Sequence, residues 1–221
     1  MIGRLIFIAA LLAAPMAVAQ TAPEPPPATP RQIAEARAIA DRLINEADAQ
    51  GIFVNKTDGA VPTVLHLASG MRCHFDGTGD RIVVFPQQND DIPRGDDVGC
   101  IVRHEELGID STTYATRYRP LPSEQAVLAD SVNAIRNRWP DAIPFEGTLA
   151  STTVGEFGTP KQAAFKISTA EGPMLTLVVV AHVGDWGYKV RATGPFAEPM
   201  LVSVLAGMLM ANMQTGQSDL D

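Results

Sequence analysis

The stretch LHLASGMRCHF, residues 65–75, gathers His66, Ser69, Cys73 and His74 into eleven positions. These side-chain types supply nucleophiles, general bases and metal ligands. What they can do depends on the hairpin that carries them. A two-residue loop at Ser69-Gly70 would mix polar and apolar residues on both faces. A three-residue loop, Ala68-Ser69-Gly70, sets Leu67 opposite Met71, His66 opposite Arg72 and Leu65 opposite Cys73. One face then holds Leu65, Leu67, Met71, Cys73 and Phe75, and the other Val64, His66, Arg72 and His74. Burial selects that register, because a one-residue slip carries every side chain across the sheet. Gly70 also suits the left-handed last position of such a loop. Cys73 is therefore expected to point inward and both histidines outward, which denies the thiol a base within hydrogen-bond reach.

The remaining chemistry is thin. His66 and His74 on one face would lie diagonally across the hairpin, roughly 7–8 Å apart at the backbone. His104 or a loop aspartate could complete a metal set, but Arg72 stands on the same face and opposes a cation. His104-Glu105 lacks the second histidine of a metalloprotease helix. Ser69 has no glycine-flanked nucleophile elbow. The loop acids Asp90, Asp91, Asp96 and Asp97 do not match an EF-hand. Arg94-Gly95-Asp96 is expected to be a solvated loop, and Asn55-Lys56-Thr57 is a glycosylation sequon. No metal site, cofactor or catalytic residue is expected, and the balance leans away from an enzyme. The alternative is a metal-dependent or other hydrolase using His66, His74 and His104.

The chain has 221 residues. Its start has the form of an export signal: Arg4, an apolar run from Leu5 to Ala14, and Ala17-Val18-Ala19 before a cleavage point. The apolar run is too short for a membrane helix, which needs roughly 20 residues. No cysteine near the cleavage point offers a lipid anchor, so a periplasmic or secreted protein cleaved after Ala19 is expected. TAPEPPPATP, residues 21–30, is an extended spacer. Without Arg4, 16 basic residues face 25 acidic ones, net −9. That balance disfavours nucleic acid and anionic lipid as partners. Two cysteines in an exported chain are expected to pair, Cys73 with Cys100.

An α+β fold follows from the periodicities. A helix spans 30–51, with Thr29 as N-cap, Ile33, Ala36, Ala40, Leu43, Ile44 and Ala47 on one face, and Gly51 past its end. An antiparallel meander is expected at 61–67, 71–75, 81–85, 98–104 and 109–118. A second helix from Ser123 to Trp139 carries Val127, Leu128, Val132, Ile135 and Trp139 on its apolar face. Four strands follow near 148–154, 161–169, 174–183 and 187–193, with MLTLVVVAHV the doubly covered one. A methionine-rich helix spans 199–213, with Ser203, Gly207 and Ala211 as a small-residue stripe for close packing. The organisation expected is a leader at 1–19, a linker at 20–30, a disulfide-pinned unit at 31–119, an α+β unit at 120–213, separate from the first or packed with it as one domain, and a disordered tail at 214–221.

VGEFG (154–158) and VGDWG (183–187) repeat one turn pattern at the first and third turns of the second meander, which lie at the same end of the sheet and make Phe157 and Trp186 candidate neighbours at an exposed lip. HLASGMRCHF, RGDDVGC and STTYATRY, within 63–119, resemble a motif series of exported bacterial proteins; the resemblance implies a periplasmic or secreted setting and transfers no activity. The helix–meander–helix layout of the second half resembles Mog1/PsbP-type α+β domains. The function expected is therefore non-enzymatic binding of a protein partner or small ligand in the cell envelope, with Phe157 and Trp186 as contacts.

Overall fold

The structure, a computed structural model, describes residues 26–77, 79–86, 92–150 and 158–214. The expected leader, most of the linker and the tail beyond Gln214 lie outside these residues. Helix α1 spans Pro30–Glu46; Thr29 caps it reciprocally with Gln32, and Pro30 occupies the first turn. Ala36, Ala40, Leu43 and Ile44 are its buried residues. It stops five residues before Gly51, because Asp48 takes the positive φ of 49° that ends it.

Three short strands, β1 (Phe53–Asn55), β2 (Thr63–His66) and β3 (Arg72–His74), form a small antiparallel sheet in that order. The other seven are β4 (Arg81–Val84), β5 (Asp97–His104), β6 (Ile109–Arg117), β7 (Ile143–Pro144), β8 (Lys161–Thr169), β9 (Gly172–Val183) and β10 (Trp186–Pro195). They make one sheet, ordered β4-β5-β6-β10-β9-β8-β7. Helix α2, Glu124–Arg138, follows an N-cap at Ser123, and α3 spans Pro199–Gln214. Strand periodicity located most of these elements. It missed β1 and β7, which are too short to show alternation. No strand covers 148–150, and the rest of that expected strand lies outside the described residues.

Alternate residues of each large-sheet strand serve different faces. One face carries Val98, Cys100, Val102, Ile109, Ala115, Tyr188, Val190 and Ala192. It is buried beneath the small sheet, α1 and α3 in one continuous core. On the other face, α2 packs Val127, Leu128 and Ile135 onto Phe165, Ile167, Val178 and Val180. MLTLVVVAHV is thus covered on both sides, as its unbroken apolar run implies. Helix α3 buries Val202, Ala206, Met210 and Met213 and leaves Met200, Leu201, Val204 and Met208 exposed. The sheet permits the close approach of α3: a Cβ on Gly194 would lie 2.7 Å from Ile109 and 2.9 Å from Val202. Of the expected small-residue stripe, Ser203 is buried, and its hydroxyl accepts from the Ala150 N–H at 2.9 Å.

Cys73 of β3 is bonded to Cys100 of β5, tying the small sheet to the large one across 27 positions of chain. Loop-closure entropy gives such a bond about 3–4 kcal/mol. Reduction should lower the unfolding free energy by about that amount, read as a drop in urea midpoint with and without dithiothreitol. A shift below about 1 kcal/mol would show that the interface holds without the bond.

Candidate functional site

The hairpin that raised the question of chemistry pairs one residue out of the expected register. Thr63 faces His74, Val64 faces Cys73 and Leu65 faces Arg72. The His66 N–H donates to the Met71 carbonyl at 2.8 Å, so the loop is Leu67-Ala68-Ser69-Gly70, with Gly70 still left-handed at φ 72°. The orientation of β3 is as expected, with Cys73 inward. That of β2 is reversed: His66 shares the core face with Met71 and Cys73, while Leu67 is pushed into the loop. His66 and His74 therefore occupy opposite faces, and no group of three metal-ligating side chains forms among the described residues.

His66 tolerates burial because its polar atoms are satisfied. Ser69 Oγ accepts the Met71 N–H at 3.1 Å and lies 2.7 Å from His66 Nδ1. The Gly95 backbone accepts the one N–H of the neutral ring, so Nδ1 accepts from the Ser69 hydroxyl. Phe53 and Trp186 close round the imidazole, their centroids 5.1 and 5.5 Å away. Burial lowers its pKa to about 4, against the hydrogen bond to Gly95, which raises it. Trp186 is consequently a core residue, 6 % exposed, and forms no exposed lip. Its expected neighbour Phe157 lies outside the described residues.

Two other motifs are absorbed by the fold. Asn55 donates to the Arg37 carbonyl and the Asp41 carboxylate, and buried Thr57 is hydrogen-bonded to the Thr63 backbone. Arg94 donates to the Asp48 carbonyl at 2.6 Å, while Asp96 is 6 % exposed and pairs with Arg119 at 3.0 Å. Neither the sequon nor the tripeptide is a free loop.

His104 is different. Its Nδ1 lies 3.0 Å from Asp76 Oδ2 and its Nε2 3.0 Å from Ser111 Oγ, the Asp–His–Ser order of a hydrolytic triad. Its setting does not suit acyl transfer. Ser111 is 2 % exposed within β6, which is paired with β5 and β10 on its two sides. The ladders commit the neighbouring backbone N–H groups, so none is left there for an oxyanion. The arrangement braces instead: Asp80 accepts from the N–H groups of Asp76 and Gly77 in its own loop and of Arg103 in β5.

A concavity lies on the other face of the large sheet. Helix α2 covers only β8 and β9 there, leaving β4, β5, β6 and β10 open beside its C-terminal end. The resulting trough is about 660 Å³, and Arg81, Arg103, Arg138 and Arg191 line it together with Trp139 and Tyr114. Two carboxylates, Asp110 and Glu171, also line it. Four arginines against two acids leave an excess of two positive charges, on a chain whose formal net charge is −8.

The register explains how the cations converge. Arg81 faces Ile101, Ile101 faces Thr112, and Thr112 faces Arg191, in one row across four strands. The next row runs Arg103, Asp110 and Thr193, and the row on the other side Val83, Gly99, Tyr114 and Lys189. Gly99 leaves room for the Phe85 ring to stack on Tyr114 at 5.9 Å. From the helix end, Arg138 lies 4.7 Å and Arg191 4.9 Å from the Trp139 ring centre. Lys189 sits 4.3 Å above Tyr114. Burial disfavours the charge on Arg191, and neighbouring Arg138 adds repulsion; Tyr114 acts the other way. Burial likewise lowers Lys189, with Asp97 opposing and Arg191 reinforcing the shift.

Sequence reasoning missed this trough because the acid excess of the whole chain drew attention from where its cations lie. A signal was present. In WGYKVRATGP the residues Lys189, Arg191 and Thr193 alternate with buried Tyr188, Val190 and Ala192, a polar strand face carrying cations.

No family model matches the chain, and no curated protein matches it. Among solved structures it is similar to LpqN of Mycobacterium tuberculosis, described as involved in cell envelope biogenesis. The identity is 13 %, the match covers 62 % of this chain and 83 % of that one, and the TM-score is 0.33. A likeness at that score carries no functional inference.

The burial of His66 has a measurable consequence. Below pH 6.5 the unfolded chain binds a proton at this residue, while the folded chain does so only near pH 4. Its contribution to stability is complete above pH 6.5 and is lost as pH falls towards 4. Between pH 7 and 5 the loss should reach about 2 kcal/mol in urea unfolding, and His66→Gln should remove that component of the pH slope. Equal slopes in the two proteins would show that His66 titrates normally.

Proposed function

We propose that this is an exported binding protein that holds a small anionic ligand in the trough on the open sheet face. The carrying observation is the Arg138–Trp139–Arg191 cluster facing Arg81 and Arg103 on an otherwise acidic chain. A sheet face exposed to water needs no partly buried cations. Holding Arg191 and Lys189 close together and partly out of water costs free energy, which an anion would offset. Guanidinium groups stacked on a ring keep their N–H edges free for carboxylate or phosphate. The export-signal form of residues 1–19 and the Cys73–Cys100 bond support export to an oxidising compartment, and the envelope is the setting proposed. The cavity is of the size small-molecule sites occupy, about 300–1,000 Å³. A catalytic step is not part of this proposal, since the histidines of the hydrolase alternative are dispersed.

Isothermal calorimetry of the mature protein at low salt, with inorganic phosphate, citrate and glucuronate, tests it. At least one anion should bind, and Arg191→Gln should weaken it by about tenfold, the loss of a charge-assisted hydrogen bond. Raising the salt should weaken binding too. Absence of binding by all three, or equal affinity in the variant, would overturn the assignment.

A further inference from the structure

Resting on that anionic-ligand reading, the register points further: we infer that the ligand is a short, two-ended dianion lying across the strands. One negative group meets Arg138 and Arg191, and the other meets Arg81. The two ends belong to one row of the sheet. Arg81 and Arg191 are separated by Ile101 and Thr112, three strand spacings or about 14 Å at the backbone. The floor between them is uncharged, an isoleucine and a threonine, so the middle of the ligand is neutral.

The neighbouring row supplies the contrast. Arg103 there faces Asp110 directly and bonds both its carboxylate oxygens, at 3.3 and 3.4 Å. Among the described residues, Arg81, Arg138 and Arg191 make no hydrogen bond or ion pair with a carboxylate. Unmatched guanidinium groups therefore stand at both ends of one row, while the cation beside them is neutralised. Orientation is bounded as well. Glu171 lines the trough, and Glu105 and Glu106 follow His104 at the end of β5. A ligand lying along the strands would meet these carboxylates, whereas one lying across them stays over the cationic row. Engaging both ends makes the second contact intramolecular, so a fitting dianion gains affinity over a monoanion without any new type of contact.

The test compares hexanoate with α,ω-dicarboxylates from butanedioate to dodecanedioate, and alkyl phosphates with the matching bisphosphates, by calorimetry on the mature protein. One chain length should bind at least about tenfold tighter than its monoanion. Arg81→Gln, at an exposed position, should bring the ratio of dianion to monoanion affinity down to about one. Arg191→Gln should weaken both. Equal affinity of mono- and dianions, with Arg81→Gln silent, would overturn the two-ended ligand and leave the anion site standing. No binding by any probe would remove both.

Discussion

The pairing of β6 with β10 is the contact on which the rest of the molecule depends. Eight residue pairs, from Trp186–Arg117 to Thr193–Asp110, join the strands of the first half to the meander of the second. Without that ladder, β4–β6 would have no neighbour on one side and β8–β10 would end at β10. With it, the buried faces of both halves merge into one apolar surface that the small sheet, α1 and α3 cover together. The same ladder sets Thr112 against Arg191. It thereby fixes the spacing between cations that lie 110 positions apart in sequence.

Burial is unequal on the two faces, and that inequality produces the trough. The inner face needs three covering elements because almost every residue on it is apolar. The outer face is apolar on β8 and β9, where α2 sits, and turns to threonine, arginine, lysine and tyrosine on β6 and β10. A helix of 15 residues covers about 22 Å of sheet along its axis but little across the strands. Its last turn ends with Arg136 and Arg138, whose charges suit the negative end of the helix dipole. Arg138 and Trp139 thus overhang the boundary between covered and open sheet, where Arg191 reaches them.

Periodicity made the α+β architecture, the cap at Thr29, the end of α2 and the Cys73–Cys100 bond legible in the sequence, because each rests on local pattern or on simple pairing. The hairpin register was not legible, for a physical reason. Assigning His66 to the polar face treats imidazole as a group that must reach water. Ser69, three residues on, supplies the hydrogen bond that lets it stay neutral inside, and Phe53 and Trp186 supply the apolar wall. Neither wall residue is near in sequence. Trp186 was misjudged for the matching reason: a tryptophan at a glycine turn looks exposed until a partner from the other half of the chain covers it. The trough escaped notice because charge was summed over the chain, whereas recognition depends on which face each charge occupies.

The Asp76–His104–Ser111 line also finds its place in this arrangement. A triad-like order of residues invites a catalytic interpretation, yet each member secures the far wall of the trough. Asp80 immediately precedes Arg81, and its carboxylate accepts the Arg103 N–H, locking the start of β4 to β5. Gly77 gives the loop close access to β5, since a Cβ there would lie 3.1 Å from the Arg103 carbonyl. His104 then ties Asp76 of that loop to Ser111 of β6, so three successive strands are cross-linked by side chains at one end. A site that reads the distance between two negative groups needs walls that do not drift, because looseness at the supporting shell blurs geometry at the contacts. The partly buried side-chain bonds of Asp76, Asp80, His104 and Ser111 tie these strands together behind Arg81 and Arg103.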